Sequence, residues 1–218
     1  MPEPVTIIGL GAGLIALTTH LARRFFGLAK EIFDIVAGSV LLVLALPVLA
    51  VCALIVKLSS RGPALFSQTR VGQDGKPFRM YKLRTMYTDA ESASGAVWAA
   101  KGDPRVVPTC RWIRRCHADE LPQLINVVRG DMSLVGPRPE RLEILKELEK
   151  VYPEIRKRLS VRPGITGLAQ VRNGYDTSVD AFRDKLRADL EYIERRNWST
   201  ELRILTATLT KFNDKTAH

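Results

Sequence analysis

The chain has 218 residues, 46% of them apolar, enough for one domain of ordinary size plus an appendage. Its formal net charge is +10, and residues 1–60, with four Lys/Arg and three Asp/Glu, carry only +1 of it. That excess suits anionic partners (nucleic acid, a lipid surface or phosphorylated substrates) without choosing among them, and an odd count of three cysteines excludes a self-contained disulfide framework.

The N-terminus reads VTIIGLGAGLI over Val5–Ile15, which looks like a strand and a glycine-rich dinucleotide loop. That fingerprint needs a second strand and an acid about 20 residues on. Arg23, Arg24 and a long apolar run follow instead, so residues 5–22 are expected to form an apolar helix on or in the membrane. Residues 35–56 hold no charge in 22 positions. At about 1.5 Å per residue that is roughly 33 Å of helix, close to a bilayer core. Pro47 lies near its middle, lacks a donor and predicts a kink or break. Arg23, Arg24 and Lys30 precede the run and Lys57 and Arg61 follow it. Basic flanks stay cytoplasmic, so a segment that enters and returns fits the flanks, while a simple span fits the length equally.

Beyond residue 60 the pattern changes. Ala64–Met86 carries two β-leaning stretches around Asp74–Gly75, a hairpin signal. Residues 88–103 are small and polar and read as a surface loop. Helices are expected near Cys110–Arg115, from Asp119 to about Val128, over 140–159 with a break near Pro153, and over 178–196 and 199–212. The row Leu202, Leu205, Leu209 and Phe212 suits either core packing or a membrane surface. Arg162–Gly167 (RPGITG) is turn-rich. The three cysteines, Cys52, Cys110 and Cys116, form no metal-ligand spacing and read as free thiols.

The stretch HADELPQL (His117–Leu124) sets Asp119 beside Glu120. Asp is a favoured N-cap, acids suit a first turn and Pro122 is tolerated there, so a helix start accounts for it. Its surroundings point further. Lys82 and Arg84 (YKLRT), Arg114, Arg138 in the stiff turn GPRP and Arg162 in RPG present cations that match phosphate oxygens. A carboxylate near them would be held ionised, as a nucleophile or a metal ligand.

The sequence resembles the bacterial sugar transferase family, the monotopic polyprenyl-phosphate phosphoglycosyl transferases. The resemblance covers about Ala29 to Phe212 and rests on KEIFD, FSQTRVGQDGKPFRMYKLRTM, DPR, DELPQLINVVRGDMSLVGPRPE, VRPGITGLAQV and DLEYIERRNWSTELRIL in that order. It implies transfer of a phosphosugar from a UDP-sugar to undecaprenyl phosphate, releasing UMP, as a membrane step of polysaccharide biosynthesis such as exopolysaccharide. It implies Asp119 as a covalent nucleophile, Glu120 as its dyad partner and the use of Mg²⁺; Asp119 and Glu120 are expected to hold the ion, with Glu120 alternatively managing a proton. It implies a re-entrant helix broken at Leu46–Pro47, with both ends and the active site on the cytoplasmic face of the bacterial inner membrane. The expected fold is α+β: a mostly helical catalytic domain over 61–218 with a short β-hairpin and interfacial amphipathic helices, a re-entrant helix over 29–60 and a membrane-associated extension over 1–28. Lys82, Arg84, Arg114, Arg138 and Arg162 are expected to bind the substrate phosphates. Expected partners are the UDP-sugar, undecaprenyl phosphate, the bilayer and a second copy of the chain, and no nucleic acid.

Several positions depart from the family pattern. Glu31 stands where a second basic residue is usual, Pro108 and Cys110 alter the run before the acids, His117 and Ala118 replace a common serine and leucine, and Leu168 a frequent tryptophan. None removes a catalytic group. The rival class is a membrane-tethered basic binding module, which predicts steep salt dependence without turnover. It leaves Asp119–Glu120 and GPRP unexplained.

Overall fold

The computed structural model describes residues 5–88, 90, 103–173 and 179–211. Most of the expected loop at 88–103, and Phe212, lie outside them. The chain begins with one 55-residue helix, α1 (Val5–Ser59), which joins the N-terminal extension and the charge-free run without a boundary. Within it, Leu21–Ser59 is long and apolar enough to cross a membrane. Leu46 and Pro47 lie inside the helix, and the expected break is not seen as an interruption there. The missing N–H of Pro47 removes one bond of the ladder, which the intact turns on both sides can carry.

An antiparallel hairpin follows, β1 (Leu65–Val71) and β2 (Pro77–Leu83), with Leu65 opposite Leu83 and Val71 opposite Pro77. Asp74 (φ 55°) and Gly75 (φ 78°) both take left-handed backbone at its turn, which is what an Asp-Gly pair is suited to supply. Short helices α2 (Arg111–Arg115) and α3 (Gln123–Val128) come next. Then β3 (Ser133–Val135), α4 (Leu142–Val151) and a 3₁₀ stretch over Pro153–Ser160 follow, the helix stopping where Pro153 was expected to stop it. β4 (Gly164–Thr166) pairs parallel with β3, so RPGITG is half turn and half strand. The chain closes with α5 (Leu168–Asn173), α6 (Val179–Arg195) and α7 (Trp198–Lys211).

Three apolar clusters hold the fold. Met80, Leu124, Val127, Leu134, Val135, Tyr192 and Ile204 form the central one, and Val71, Leu148, Ile155, Phe182 and Leu186 form another under α6. The third joins Cys52 and Val56 of α1 to Leu83, Cys110, Ile113 and Ala118. Cys52 and Cys110 are buried free thiols and Cys116 is an exposed one. On α7, Ile204 is buried and Leu205 packs on the central cluster, while Leu202 and Leu209 are 56% and 70% exposed, so the expected apolar row is split between core and surface.

One face of α1 lies along the domain. Phe33, Ala37, Leu42 and Ala45 pack on the central cluster, and Leu49, Cys52, Ala53 and Val56 on the third. Apart from the adjacent Cys52 and Ala53, these positions recur every three to five residues, a single helical stripe. Gly38 lets the helix approach α3: a Cβ there would meet Val127 Cγ1 at 2.9 Å. The opposite face leaves Val36, Val40, Val43, Leu44, Val51 and Leu54 exposed.

A buried polar knot ties the start of this stripe. Lys30 Nζ lies 3.0 Å from Asp34 Oδ1, 2.9 Å from Ser133 Oγ and 2.9 Å from Glu201 Oε2. Ser133 Oγ donates to Asp34 Oδ2 at 2.7 Å, and the Tyr192 hydroxyl donates to Glu201 Oε1 at 2.7 Å. Burial pushes the Glu201 carboxyl up against the pull of Lys30. Removing one member of a buried pair strands the other. Asp34→Ala is therefore expected to cost about 3–5 kcal/mol, and an unchanged melting temperature in detergent would rule out this account of the knot.

Candidate active site

Asp119 does not begin a helix, as the sequence suggested. It lies in a 3₁₀ turn over Ala118–Glu120, and α3 starts later, at Gln123. His117 enters the turn in left-handed backbone, φ 53°, and its carbonyl accepts the Glu120 N–H at 3.0 Å. Non-glycine residues seldom occupy that region, though His does so more readily than most. The conformation turns the chain sharply at the end of α2 and sets the two acids back to back.

Glu120 is the electrostatic centre. Lys82 Nζ lies 2.9 Å from Oε1, while Arg138 places NH2 2.5 Å from Oε1 and NH1 3.1 Å from Oε2. Burial would raise this carboxyl, but Arg138 and then Lys82 outweigh it and hold it well below the usual carboxylate range. Asp119 behaves in the opposite way. It is buried, and no hydrogen bond or ion pair to its carboxylate is found among the described residues. Burial, then the charge on Glu120, push it up to about 6 against Lys82, Arg114 and Arg138. The nearby cations favour the ionised form of Asp119 as expected, but burial and Glu120 outweigh them, and Lys82 and Arg138 engage Glu120 directly. Burial also lowers His117 from its ordinary value, with Glu120 opposing, so the imidazole is neutral at pH 7.

The framework delivers these groups from three places. Asn126, fully buried on α3, accepts the Tyr81 N–H at 3.1 Å and donates to the Arg79 carbonyl at 2.7 Å. This fixes β2 one residue before Lys82. The GPRP turn leaves β3 carrying Arg138. It is locked to the RPG turn, for Gly164 N–H donates to Pro137 O at 2.9 Å and Gly136 N–H to Thr166 O at 2.8 Å.

Of the five expected phosphate ligands, Lys82 and Arg138 meet at the dyad, and Arg114 lies close enough to pull on the Asp119 charge. Arg84 is engaged elsewhere. It is 5% exposed and its guanidinium caps the end of α1, reaching Ser60 O at 3.0 Å and the Arg61 carbonyl. Helix ends leave carbonyls in need of donors, and a cation suits that negative end. Arg162 pairs with Glu31 of α1 at 3.2 Å rather than with the dyad. Three residues that the sequence did not single out surround the GPRP turn: Arg70, Arg158 and Glu140. Arg158 sat in a stretch that read as one face of a charged helix, and nothing in its spacing marks it as buried.

No group of three or more His, Cys, Asp or Glu among the described residues could cage a metal. Mg²⁺ does not need one. It usually binds one or two carboxylates and fills its octahedron with waters and substrate phosphates. Of the two acids, Asp119 has a carboxylate that no described cation engages, while both Glu120 oxygens are held by Lys82 and Arg138.

Comparison with known proteins gives a consistent grouping. The model of the family described as bacterial sugar transferase matches residues 25–215. The UDP-glucose:undecaprenyl-phosphate glucose-1-phosphate transferase of Caulobacter vibrioides is 44% identical over 191 residues, 87% of this chain and 71% of that protein. The UDP-N-acetylgalactosamine-undecaprenyl-phosphate N-acetylgalactosaminephosphotransferase of Aeromonas hydrophila is 41% identical over 189 residues, but this chain spans only 44% of it. The exopolysaccharide production protein PSS of Rhizobium leguminosarum is 41% identical over 186 residues, 83% of this chain and 92% of that protein.

Proposed function

The chain belongs to the bacterial sugar transferase family, and from that premise we propose that it moves a sugar 1-phosphate from a UDP-sugar to undecaprenyl phosphate in polysaccharide synthesis. The observation that carries the reading is the Asp119 carboxylate, without a partner among the described residues and buried beside a Glu120 that is held by Lys82 and Arg138. An oxygen of Asp119 attacks the phosphorus that bears the sugar. The bond from that phosphorus to the UMP oxygen breaks, and UMP leaves. A phosphate oxygen of the polyprenyl phosphate then attacks the same phosphorus, the aspartyl bond breaks, and polyprenyl-diphospho-sugar is released. Each step exchanges one P–O bond for another, so positioning and charge neutralisation supply the catalysis.

The residues divide the work. Glu120 gathers Lys82 and Arg138 beside Asp119, and when phosphates enter, those cations can be shared with the incoming oxygens. Arg114 adds positive potential on the Asp119 side. Mg²⁺ held by Asp119 and Glu120 would supply charge neutralisation for the diphosphate.

The packed stripe on α1 supports a re-entrant placement. The same charged domain touches the helix at Lys30 and at Val56, roughly 39 Å of helix apart at about 1.5 Å per residue. A straight crossing would draw that domain through the bilayer. A helix that dips in with its outer face and keeps both ends at one surface does not. The cytoplasmic face of the inner membrane is the side on which UDP-sugars and basic flanks meet.

The test is UMP release by the purified protein with a panel of UDP-sugars, Mg²⁺ and undecaprenyl phosphate; no release with any donor sinks the reading. A second expectation concerns pH. Attack needs ionised Asp119, so kcat/KM should rise with pH through an apparent value near 6, falling about tenfold per unit below it. An acid limb lying below pH 4 would show that Asp119 is not the group that must ionise.

A further inference from the structure

The back of the GPRP turn is held by charge. Arg158 is 4% exposed, and its Nε and NH2 both reach Asp189 Oδ2 at 2.7 Å. NH2 also donates to the Arg138 carbonyl at 3.0 Å, and the guanidinium lies over the Phe182 ring, 5.3 Å from its centroid. Arg70 reaches the next carbonyl, donating from NH1 to Pro139 O at 3.3 Å. The third, Glu140 O, accepts the Val71 N–H at 3.0 Å. Three successive carbonyls behind the Arg138 side chain are each held by a donor, two of them guanidinium groups.

Burying an ion pair costs desolvation, and apolar residues of equal volume usually stabilise a core as well or better. What Arg158 and Asp189 provide beyond volume is direction: a planar guanidinium whose Nε and NH2 are fixed on the carboxylate, which aims NH2 at the Arg138 carbonyl as well. We propose that Arg158 and Arg70 are positioning residues that fix the backbone of residues 138–139 from behind, so that the Arg138 guanidinium stays on Glu120 beside the attacking Asp119. The inference rests on the reading of Asp119 and Glu120 given above.

The experiment reads Arg138 directly and turnover separately. In isotope-labelled full-length protein, the side-chain Nε–H resonance of Arg138 is assigned by its loss in Arg138→Lys. In wild type it should be sharp, as for a guanidinium held in a fork. In Arg158→Met and, less so, in Arg70→Met it should broaden or move to the position of an exposed arginine. Turnover should drop about 30–100-fold in Arg158→Met and about 3–10-fold in Arg70→Met, mostly in kcat. Arg138→Ala should be about equally impaired with and without Arg158→Met, because both changes act on one group. An Arg138 resonance that stays sharp in both folded variants overturns the proposal, as do losses that multiply in the double variant. If Arg158→Met does not fold, the partly exposed Arg70 decides alone. Absence of turnover in wild type would sink the proposed reaction and leave the resonance to judge this arrangement by itself.

Discussion

Asp119→Asn is expected to abolish UMP release and, at the same time, to make the protein more stable. The first effect follows from the chemistry: an amide is no nucleophile toward phosphorus, and nothing else among the described residues offers a carboxylate in its place, because both oxygens of Glu120 are held by cations. A loss of at least about 10³ is expected, since removal of a covalent nucleophile leaves only binding and charge stabilisation. A donor labelled in the phosphate attached to the sugar should mark the wild-type protein and leave the variant unmarked. The second effect follows from the raised carboxyl. A group pushed up to about 6 in the fold, from an ordinary value of 3.8, disfavours its charged form there. Its stabilising contribution is present when it is protonated and is lost as pH rises through 6. Asparagine resembles the protonated form at every pH. In Mg²⁺-free buffer at pH 8 the variant should therefore be about 1–3 kcal/mol more stable than wild type, and the gap should close below about pH 4. Label on the variant would move the nucleophile elsewhere. A variant less stable at pH 8 would refute the burial account of Asp119.

Gly164→Ala is expected to destroy the site without touching a charged residue. A Cβ at 164 would sit 2.1 Å from Gly136 N, 2.6 Å from Gly136 O and 2.4 Å from Thr166 O. All three are backbone atoms, so no side chain can swing aside. Gly136 and Gly167 face the same constraint, with Cβ positions 2.5 Å from Arg162 O and 2.2 Å from Gly136 O. These glycines let the RPG and GPRP turns lie backbone against backbone, joined by the Gly164–Pro137 and Gly136–Thr166 hydrogen bonds. Separating them displaces Arg138. The expected cost is about 3 kcal/mol or more, with turnover down at least about 100-fold. Gly27→Ala is the control. Nothing lies within 4 Å of its Cβ and it sits inside α1, so it should leave activity intact and stabilise by about 0.5–1 kcal/mol. A Gly164→Ala protein with wild-type melting and turnover would show that the two turns need not touch.

Some of this was legible in the sequence, for local reasons. Asp74–Gly75 announces its turn because few residue pairs accept two consecutive left-handed conformations, and Pro153 announces the end of α4 because it has no N–H to continue it. The adjacent acids and the GPRP turn stood out as a pattern of residue types. What stayed hidden depends on partners far along the chain. β3 and β4 are three residues each, too short for any alternation to show, and each exists only because the other pairs with it. Arg84 looks like Lys82 on paper, and strand alternation would put the two on one face, yet β2 ends at Leu83, so Lys82 reaches the dyad while Arg84 turns to the end of α1. Lys30 and Asp34 read as flanking charges of an apolar segment, whereas they lie buried against β3 and α7.

That last arrangement bears on how the chain is made. Ser133 and Glu201 are synthesised about 100 and 170 residues after Lys30, so the helix emerges from the ribosome with its later partners absent. Lys30 and Asp34 stand one helical turn apart and neutralise each other at 3.0 Å, so this pair adds no net charge as the nascent segment reaches the lipid. Ser133 joins mid-translation, and the knot closes only when the last described helix, α7, delivers Glu201. Chains truncated before α7 would reach the bilayer and yet carry an unfinished seam, a difference that quality-control proteases can read.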